Sequence, residues 1–300
     1  MALAMQRTQT SASRLGMRAD LHIHTVASDG CWTPEQAVAE VQARGIGLFA
    51  IADHDTVASV AAAQALAHDA GLAFLRGVEV STLVNGDLFH VLAYGCDIQN
   101  PVLTAMLQDN AVKLARNGDD ALYYLAASGS PIDLDEYAAY TYDRTRGGWR
   151  ALNFLIDQGL CAGVRDYFDN LAPRIPVETP AFPHAAEAIA VIRQVGGVPI
   201  LAHPGVSLRR AAERARQGGT GITEEALDPF IEFGIAGLEC YSHYHDEAST
   251  RFFLHWCNRH GLLITGGSDC HGGFVGRELG VPVVDVVDLR LGELEERILT

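Results

Sequence analysis

The chain has 300 residues, 48% of them hydrophobic and 20% charged, with a formal net charge of −15. That length and apolar content support a large buried core, in one α/β domain or two smaller ones. The acidic balance argues against sequence-independent attachment to a nucleic-acid backbone, and no apolar run reaches the roughly 18 residues of a membrane-spanning helix.

The opening "MALAMQRTQTSASRLG" lacks the apolar core of a secretory signal and predicts a disordered tail over 1–16. "ADLHIHTVASDG" (19–30) then alternates Asp20, His22 and His24 with Leu21 and Ile23, the period of a strand. "TPEQAVAEVQARG" predicts a helix, with Thr33 as N-cap, Pro34 in its first turn and Gly45 at its end. "GLFAIADHD" predicts a buried strand and "VASVAAAQALAHDAG" a second helix. "LAFLRGVEVS" and "LFHVLAYG" predict two more strands joined by a turn at "NGD". The rhythm breaks over 100–182, which predicts an inserted helical cap subdomain ending in the proline-rich "PRIPVETPAFP". Afterwards "HAAEAIAVIRQVGG" predicts a helix, and "VPILAHPG", "IAGLECYS" and "LLITGGSDCHG" predict strands. Such alternation belongs to parallel sheets and barrels. The six cysteines show neither a CxxC pair nor a framework spacing, which predicts free thiols and a cytoplasmic protein.

Acids and histidines gather at the strand ends. Asp20, His22 and His24 lie in the first strand, Asp53, His54 and Asp55 end the second, and Glu79 ends the third. His90 lies in the fourth, His203 ends "ILAH", Glu239 ends "GLE", and Asp269 and His271 follow "LLITGGSD". Barrel enzymes build their sites at the C-terminal ends of parallel strands. Each motif alone has a plain structural reading. Together they would bury acids and imidazoles that, without counter-charge, each cost on the order of several kcal/mol. Six histidines with Asp29, Glu79 and Asp269 make nine candidate ligands, too many for one open site, and predict two to three ions. Imidazole and carboxylate without thiolate suit divalent Mn, Fe or Zn.

In order, "DLHIHT…SDG", "IADHDT", "GVEVS", "HVLAYG", "LAHPG", "GLECY" and "GSDCHG" resemble the successive motifs of the PHP (polymerase and histidinol phosphatase) superfamily, over 20–98 and 184–273. The resemblance implies a distorted (β/α)7 TIM-like barrel from 17–99 and 183–300, with metals at the strand C-termini. It implies His22, His24, Glu79 and Asp269 on one ion, Glu79, His90 and His203 on a second, and Asp29, His54 and His271 on a third. Asp29 stands where some relatives place a histidine. The single insertion resembles that of small nucleotide phosphoesterases, where a helical cap supplies phosphate contacts. Those relatives often carry TR-[GP]-H-[FI]-A-R. In "TRGGWRALNFL" Arg146 matches, Gly148 stands in place of the histidine, and Arg150 or its neighbours are shifted.

The expected activity is a metal-dependent phosphoesterase acting on a small phosphorylated substrate, a nucleoside 5′-monophosphate or 3′,5′-bisphosphate, through a metal-bridging hydroxide. Arg146 would neutralise phosphoryl oxygens, and His203 or His245 would protonate the leaving alkoxide. Arg209 and Arg210 suit a substrate phosphate, and with Arg214 and Arg216 suit a solvated helix face equally well. His243 and His245 fit either an acid catalyst or a polar loop. Other small-molecule phosphatases, including the histidinol-phosphate type, trimming of RNA or DNA ends, amidohydrolysis and a non-catalytic metal module are the alternatives. No GxSxG elbow or GxxxxGK loop is present. No run of Lys/Arg interleaved with aromatics is present to track a single strand, so stable binding of long nucleic acid is not expected.

Overall fold

The structure is a computed structural model that describes residues 16–216 and 218–300; the tail expected over 1–16 lies, Gly16 aside, outside them. Among the described residues nine strands form two sheets. The first has the order β3-β2-β1-β9, from β1 (Arg18–Ile23), β2 (Ile46–Ile51), β3 (Ala73–Phe74) and β9 (Val284–Asp285). The second has the order β4-β5-β6-β7-β8, from β4 (Glu79–Val84), β5 (Asp87–Tyr94), β6 (Val198–Leu201), β7 (Gly237–Ser242) and β8 (Leu263–Gly267). β1–β2–β3 and β6–β7–β8 run parallel, while β5 is antiparallel to both its neighbours.

The architecture is mixed α/β, but its ladders do not close into one barrel. The two sheets meet at isolated bridges, Ile23 with Cys270 and His54 with Glu79. At the first seam His24 N donates to Cys270 O at 2.8 Å, and at the second Asp55 N donates to Glu79 O at 2.9 Å. The first seam depends on close approach: a Cβ at Gly267 would lie 2.5 Å from His22 Cβ and 2.6 Å from His22 N. The expected strand "LAFLRGVEVS" is split here, so Glu79 begins β4 rather than ending a strand. Leu21, Ala50, Leu92, Val198 and Ile200, drawn from both sheets, share one apolar cluster, and Tyr94 Oη donates to Leu21 O at 2.7 Å across it. Strands buried on both faces read as continuous apolar runs, as in "GLFAIA".

Helices cover the outside. α1 (Pro34–Ala43) starts with a capping box in which Thr33 receives from Gln36 N and Gln36 from Thr33 N; the reciprocal partner is Gln36, not the neighbouring Glu35. α2 (Val60–Asp69) packs beside it. The inserted stretch opens with α3 (Pro101–Ala127), capped by Asn100. Its first half buries Leu103 and Leu107 in the sheet core. Its second half buries Ala121, Leu122 and Leu125 in a separate cluster with α4 (Leu134–Ala139), α5 (Arg150–Asp157) and Tyr167. α6 (Ala185–Gln194), α7 (Pro204–Arg214), α8 (Glu224–Glu232) and α9 (Glu247–His260) return the chain to the sheets. Among the described residues no helix is long and apolar enough to cross a membrane, and all six cysteines are free.

Candidate metal centre

The acids of the strand ends fall into two kinds. Asp20 is fully engaged by backbone: Ser268 N and His22 N donate to its Oδ1, and Gly280 N to its Oδ2. Asp53 accepts from Thr25 N, Thr25 Oγ1 and Ser28 Oγ at 2.6–2.7 Å and fixes the turn that leads to Asp29. Asp55, at φ +49°, accepts from Ser81 N, Ser81 Oγ and Asn110 Nδ2 and ties α3 to the sheet. Burial raises the pKa of Asp20 and Asp55, against the pull of these hydrogen bonds. Both are structural acids.

Glu79, Asp29 and Asp269 differ. Glu79 is fully buried and ringed by five imidazoles. Its Oε2 lies 3.1 Å from His22 Nε2, 3.3 Å from His24 Nε2 and 3.1 Å from His54 Nδ1. Its Oε1 lies 2.8 Å from His203 Nε2 and 3.0 Å from His90 Nδ1. Asp269, at φ +54°, sets Oδ1 2.9 Å from His24 Nε2 and 3.5 Å from His22 Nε2. Asp29 Oδ1 lies 3.2 Å from His271 Nε2, and the rings of His24 and His271 stack at 4.0 Å. Three groups of ligand atoms lie within 4.8 Å of one another: His22, His24, Glu79 and Asp269; His54, Glu79 and His90; and His24, Asp29, His54 and His271. His203 abuts Glu79 rather than completing the second group.

The same side chains are electrostatically strained without a cation. Burial opposes a charge on His22, but the fields of Glu79, Glu239 and Asp269 overcome it and raise its pKa well above the usual value. Burial is likewise overcome at His24, where the adjacent carboxylates of Asp269 and Glu79 raise the pKa to about 9. Burial and surrounding imidazoles push His54 down to about 3 despite Glu79. Burial would raise Glu79 and Asp269, yet the facing histidines, with Arg277 at Asp269, hold both well below the carboxylate range.

A metal fits these residues on one direct observation. His22 Nε2, His24 Nε2, His90 Nδ1, Asp29 Oδ1, Glu79 Oε2 and Asp269 Oδ1 are all buried and none makes a hydrogen bond. Buried polar atoms are rarely left so, and six converging on one place call for a shared cation. The outer nitrogens are set accordingly. His22 Nδ1 faces Glu239 Oε1 at 2.9 Å and His271 Nδ1 faces Asp269 O at 2.8 Å, which leaves each Nε2 turned inward.

The remaining sequence-predicted residues have other partners. Arg146 forms a two-pronged pair with Asp157 at 2.7 and 2.9 Å on the insertion surface. Arg150 donates to the carbonyls of Tyr137, Ala138 and Tyr140. Arg209 donates to Tyr244 O at 2.7 Å. Arg210 is exposed. His245 is held at both nitrogens, by Cys240 O at 2.9 Å and Gly205 N at 3.0 Å. Burial lowers its pKa to about 4, which favours the neutral ring held between these two backbone groups. His243 is exposed and packs only on Tyr244.

Sequence patterns missed several contributors. Arg277 pairs with Asp269 Oδ2, donates to Asp269 O at 3.1 Å and sits 4.8 Å from the Tyr244 ring centroid. Glu239, a strand-end acid by sequence, accepts from His203 N at 2.8 Å besides facing His22. Arg144, not Arg146, reaches the metal-side loop, donating to the carbonyls of Val26 and Ser28. Its two-residue offset from the motif arginine was the available signal.

Comparison with known proteins agrees with this geometry. Residues 20–236 match the PHP domain family. The chain is 31% identical to a 3′,5′-nucleoside bisphosphate phosphatase of Chromobacterium violaceum, over 87% of this chain and 90% of that protein. It is 32% identical to the 5′-3′ exoribonuclease Rnm of Escherichia coli, over 62% of this chain and 65% of that one. Among solved structures, a Bifidobacterium adolescentis protein described as a metal-dependent phosphoesterase superposes with a TM-score of 0.78 at 29% identity, over 94% of this chain and 96% of that one.

Proposed function

The chain belongs to the PHP domain family, and from that premise we propose that it is a metal-dependent phosphoesterase that removes phosphate from a small nucleotide, a 3′,5′-bisphosphate or 5′-monophosphate. The observation that carries the reading is the convergence of six buried, hydrogen-bond-free ligand atoms around Glu79. We read the two sheets, joined at their bridges, as the working equivalent of a seven-strand barrel, and the stretch 100–182 as its cap.

In this proposal His22, His24, Glu79 and Asp269 would hold one ion, Glu79, His90 and His203 a second, and Asp29, His54 and His271 a third. Divalent ions so held would polarise a phosphoryl group and supply a nucleophile from water near neutral pH. The chain's own residues do the rest. Glu239 and the Asp269 carbonyl fix the imidazoles, Arg277 fixes Asp269, and the exposed Arg210 is free to meet an outer phosphate oxygen.

The test is phosphate release from a nucleotide panel and 4-nitrophenyl phosphate, with Mn, Fe or Zn supplied and with chelator. Release that needs metal supports the reading; no release from any substrate under any metal overturns it. The likeness to an exoribonuclease favours a second reading, removal of nucleotides from RNA 5′ ends. A 20-mer RNA in the same panel separates the two. The charge of −15 favours the small substrate, because a polyanion gains little from such a surface.

A further inference from the structure

An open cavity of about 520 Å³ is lined by Gly163, Arg165, Asp166, Asp169 and Asn170 of the insertion together with Phe274 from the loop after His271. We propose that this cavity receives the nucleobase of the substrate, with Phe274 as the apolar wall; the inference rests on the nucleotide phosphoesterase reading and specifies its substrate.

Three observations support it. First, Phe274 joins the cavity to the metal residues. Phe274 N donates to His271 O at 3.4 Å. Its ring lies against Gly147 and Gly148, where added Cβ atoms would fall 2.8 Å from Phe274 Cγ and 2.7 Å from Phe274 Cζ respectively. Both glycines have left-handed φ, +74° and +70°, and Gly148 N donates to Asp29 O at 2.7 Å. The insertion, Phe274 and the loops of Asp29 and His271 are thus one packed unit. Gly148 is also the position where the resemblance expects a histidine. That side chain has no room here, because Phe274 occupies its place from the opposite loop.

Second, the size suits a nucleoside fragment rather than a polymer, since small-ligand sites fall at roughly 300–1,000 Å³. Third, the lining selects what enters. Arg165 is its one cation, against the carboxylates of Asp166 and Asp169. Asp166 is already committed to Ala162 N and Asn170 Nδ2, each at 2.8 Å. Asp169 is exposed. A lining with more anions than cations repels a second phosphate and suits an uncharged planar group with amino donors. A purine or cytosine matches that description: its face packs on an aromatic ring and its amino group reaches a carboxylate.

The experiment compares AMP with ribose 5-phosphate, which differ only in the base, on the metal-loaded wild type and on Phe274→Ala and Asp169→Ala. Wild type is expected to favour AMP in kcat/KM by at least about tenfold, close to the stacking contribution of one base. Phe274→Ala should cut that ratio at least fivefold, mainly through KM for AMP. Calorimetric titration of AMP against ribose 5-phosphate reads the same difference in binding without turnover. A wild-type ratio near one overturns the proposal, as does an equal loss on both substrates in Phe274→Ala. A wild type that hydrolyses neither compound nor any other phosphate ester would instead overturn the phosphoesterase reading. Asp169→Ala guards against misfolding of the Phe274 variant: it sits exposed in the helical turn Tyr167–Leu171, and a ratio unchanged in both variants rules the base out of this cavity.

Discussion

The strand-end cluster and the inserted helices carry charge in opposite ways. In the insertion several charges have partners: Arg146 holds Asp157, Arg150 holds three carbonyls, and Tyr137 Oη donates to Asp119. At the strand ends six ligand atoms are buried with no hydrogen bond at all. A satisfied polar group needs nothing more and stabilises the fold locally. An unsatisfied one, buried at a cost of about 1–3 kcal/mol, persists only when something else supplies the partner. The contrast also runs within the strand ends, where Asp20, Asp53 and Asp55 resemble the insertion and Glu79, Asp29 and Asp269 do not.

The sharpest way to break this contrast is at Glu79. Glu79→Gln should lose at least one metal equivalent by elemental analysis and lower kcat/KM by about 100-fold or more, since its two oxygens face five histidines. Full metal content with normal turnover would assign the shared position to another group. Wild-type protein should carry two to three transition-metal ions, and chelation should abolish turnover; activity that survives complete metal removal would end the metal-centre reading.

Asp53→Ala should do the reverse. It removes the acceptor of three short hydrogen bonds and should destabilise by about 2–4 kcal/mol in a denaturant titration, the range for a broken buried network. Metal stoichiometry should hold in the folded fraction. Unchanged stability with lost metal would place Asp53 among the ligands.

The third comparison is of chelated and metal-loaded protein across pH. His24 has its pKa raised from 6.5 to about 9 by Asp269 and Glu79 acting against burial, so its contribution is fully present below 6.5 and lost as pH rises toward 9. The limit on that contribution is about 3 kcal/mol. His54, lowered to about 3, acts in the other window: its contribution is present above 6.5 and fades as pH falls. Chelated protein should therefore lose Tm between pH 6.5 and 9. Metal-loaded protein should lose less, because the cation replaces the proton. Parallel curves would show that no cation sits at His24.

The smallest effect is expected at Arg146. The pair with Asp157 is more than a third exposed on both sides, and such pairs contribute about 0–1 kcal/mol after screening. Arg146→Ala should shift stability by less than 1 kcal/mol and kcat/KM by less than about threefold. A loss beyond tenfold would mean that substrate phosphate takes the arginine from Asp157.

Much of the site was legible in the sequence because a strand end displays its chemistry in order. His22 and His24 alternate with Leu21 and Ile23, and "GVEVS" and "GSDCHG" bring single acids to known ends of apolar runs. The same pattern could not separate Asp53 and Asp55 from His54, since local spacing does not record which side chain meets backbone donors. Arg277 was invisible because it reaches Asp269 from eight residues away along an irregular loop. For the arginines of the insertion, a motif position gives the residue type, while the partner, Asp157 eleven residues on from Arg146, is set by how α5 packs.

The sequence by itself determined the α/β alternation, the helical insertion and the set of strand-end acids and histidines, because period, capping and apolar runs are local properties. Tertiary structure decided what those properties leave open. It closed the sheets only through bridges at Ile23 and His54, which makes two sheets where a continuous barrel was expected. It gave Asp20, Asp53 and Asp55 full sets of donors while leaving Glu79 Oε2, Asp29 Oδ1 and Asp269 Oδ1 without a hydrogen bond. It also brought Phe274 against Gly147 and Gly148 from more than a hundred residues away. Hydrogen-bond satisfaction and close packing are properties of neighbours in space, and no spacing along the chain encodes them directly.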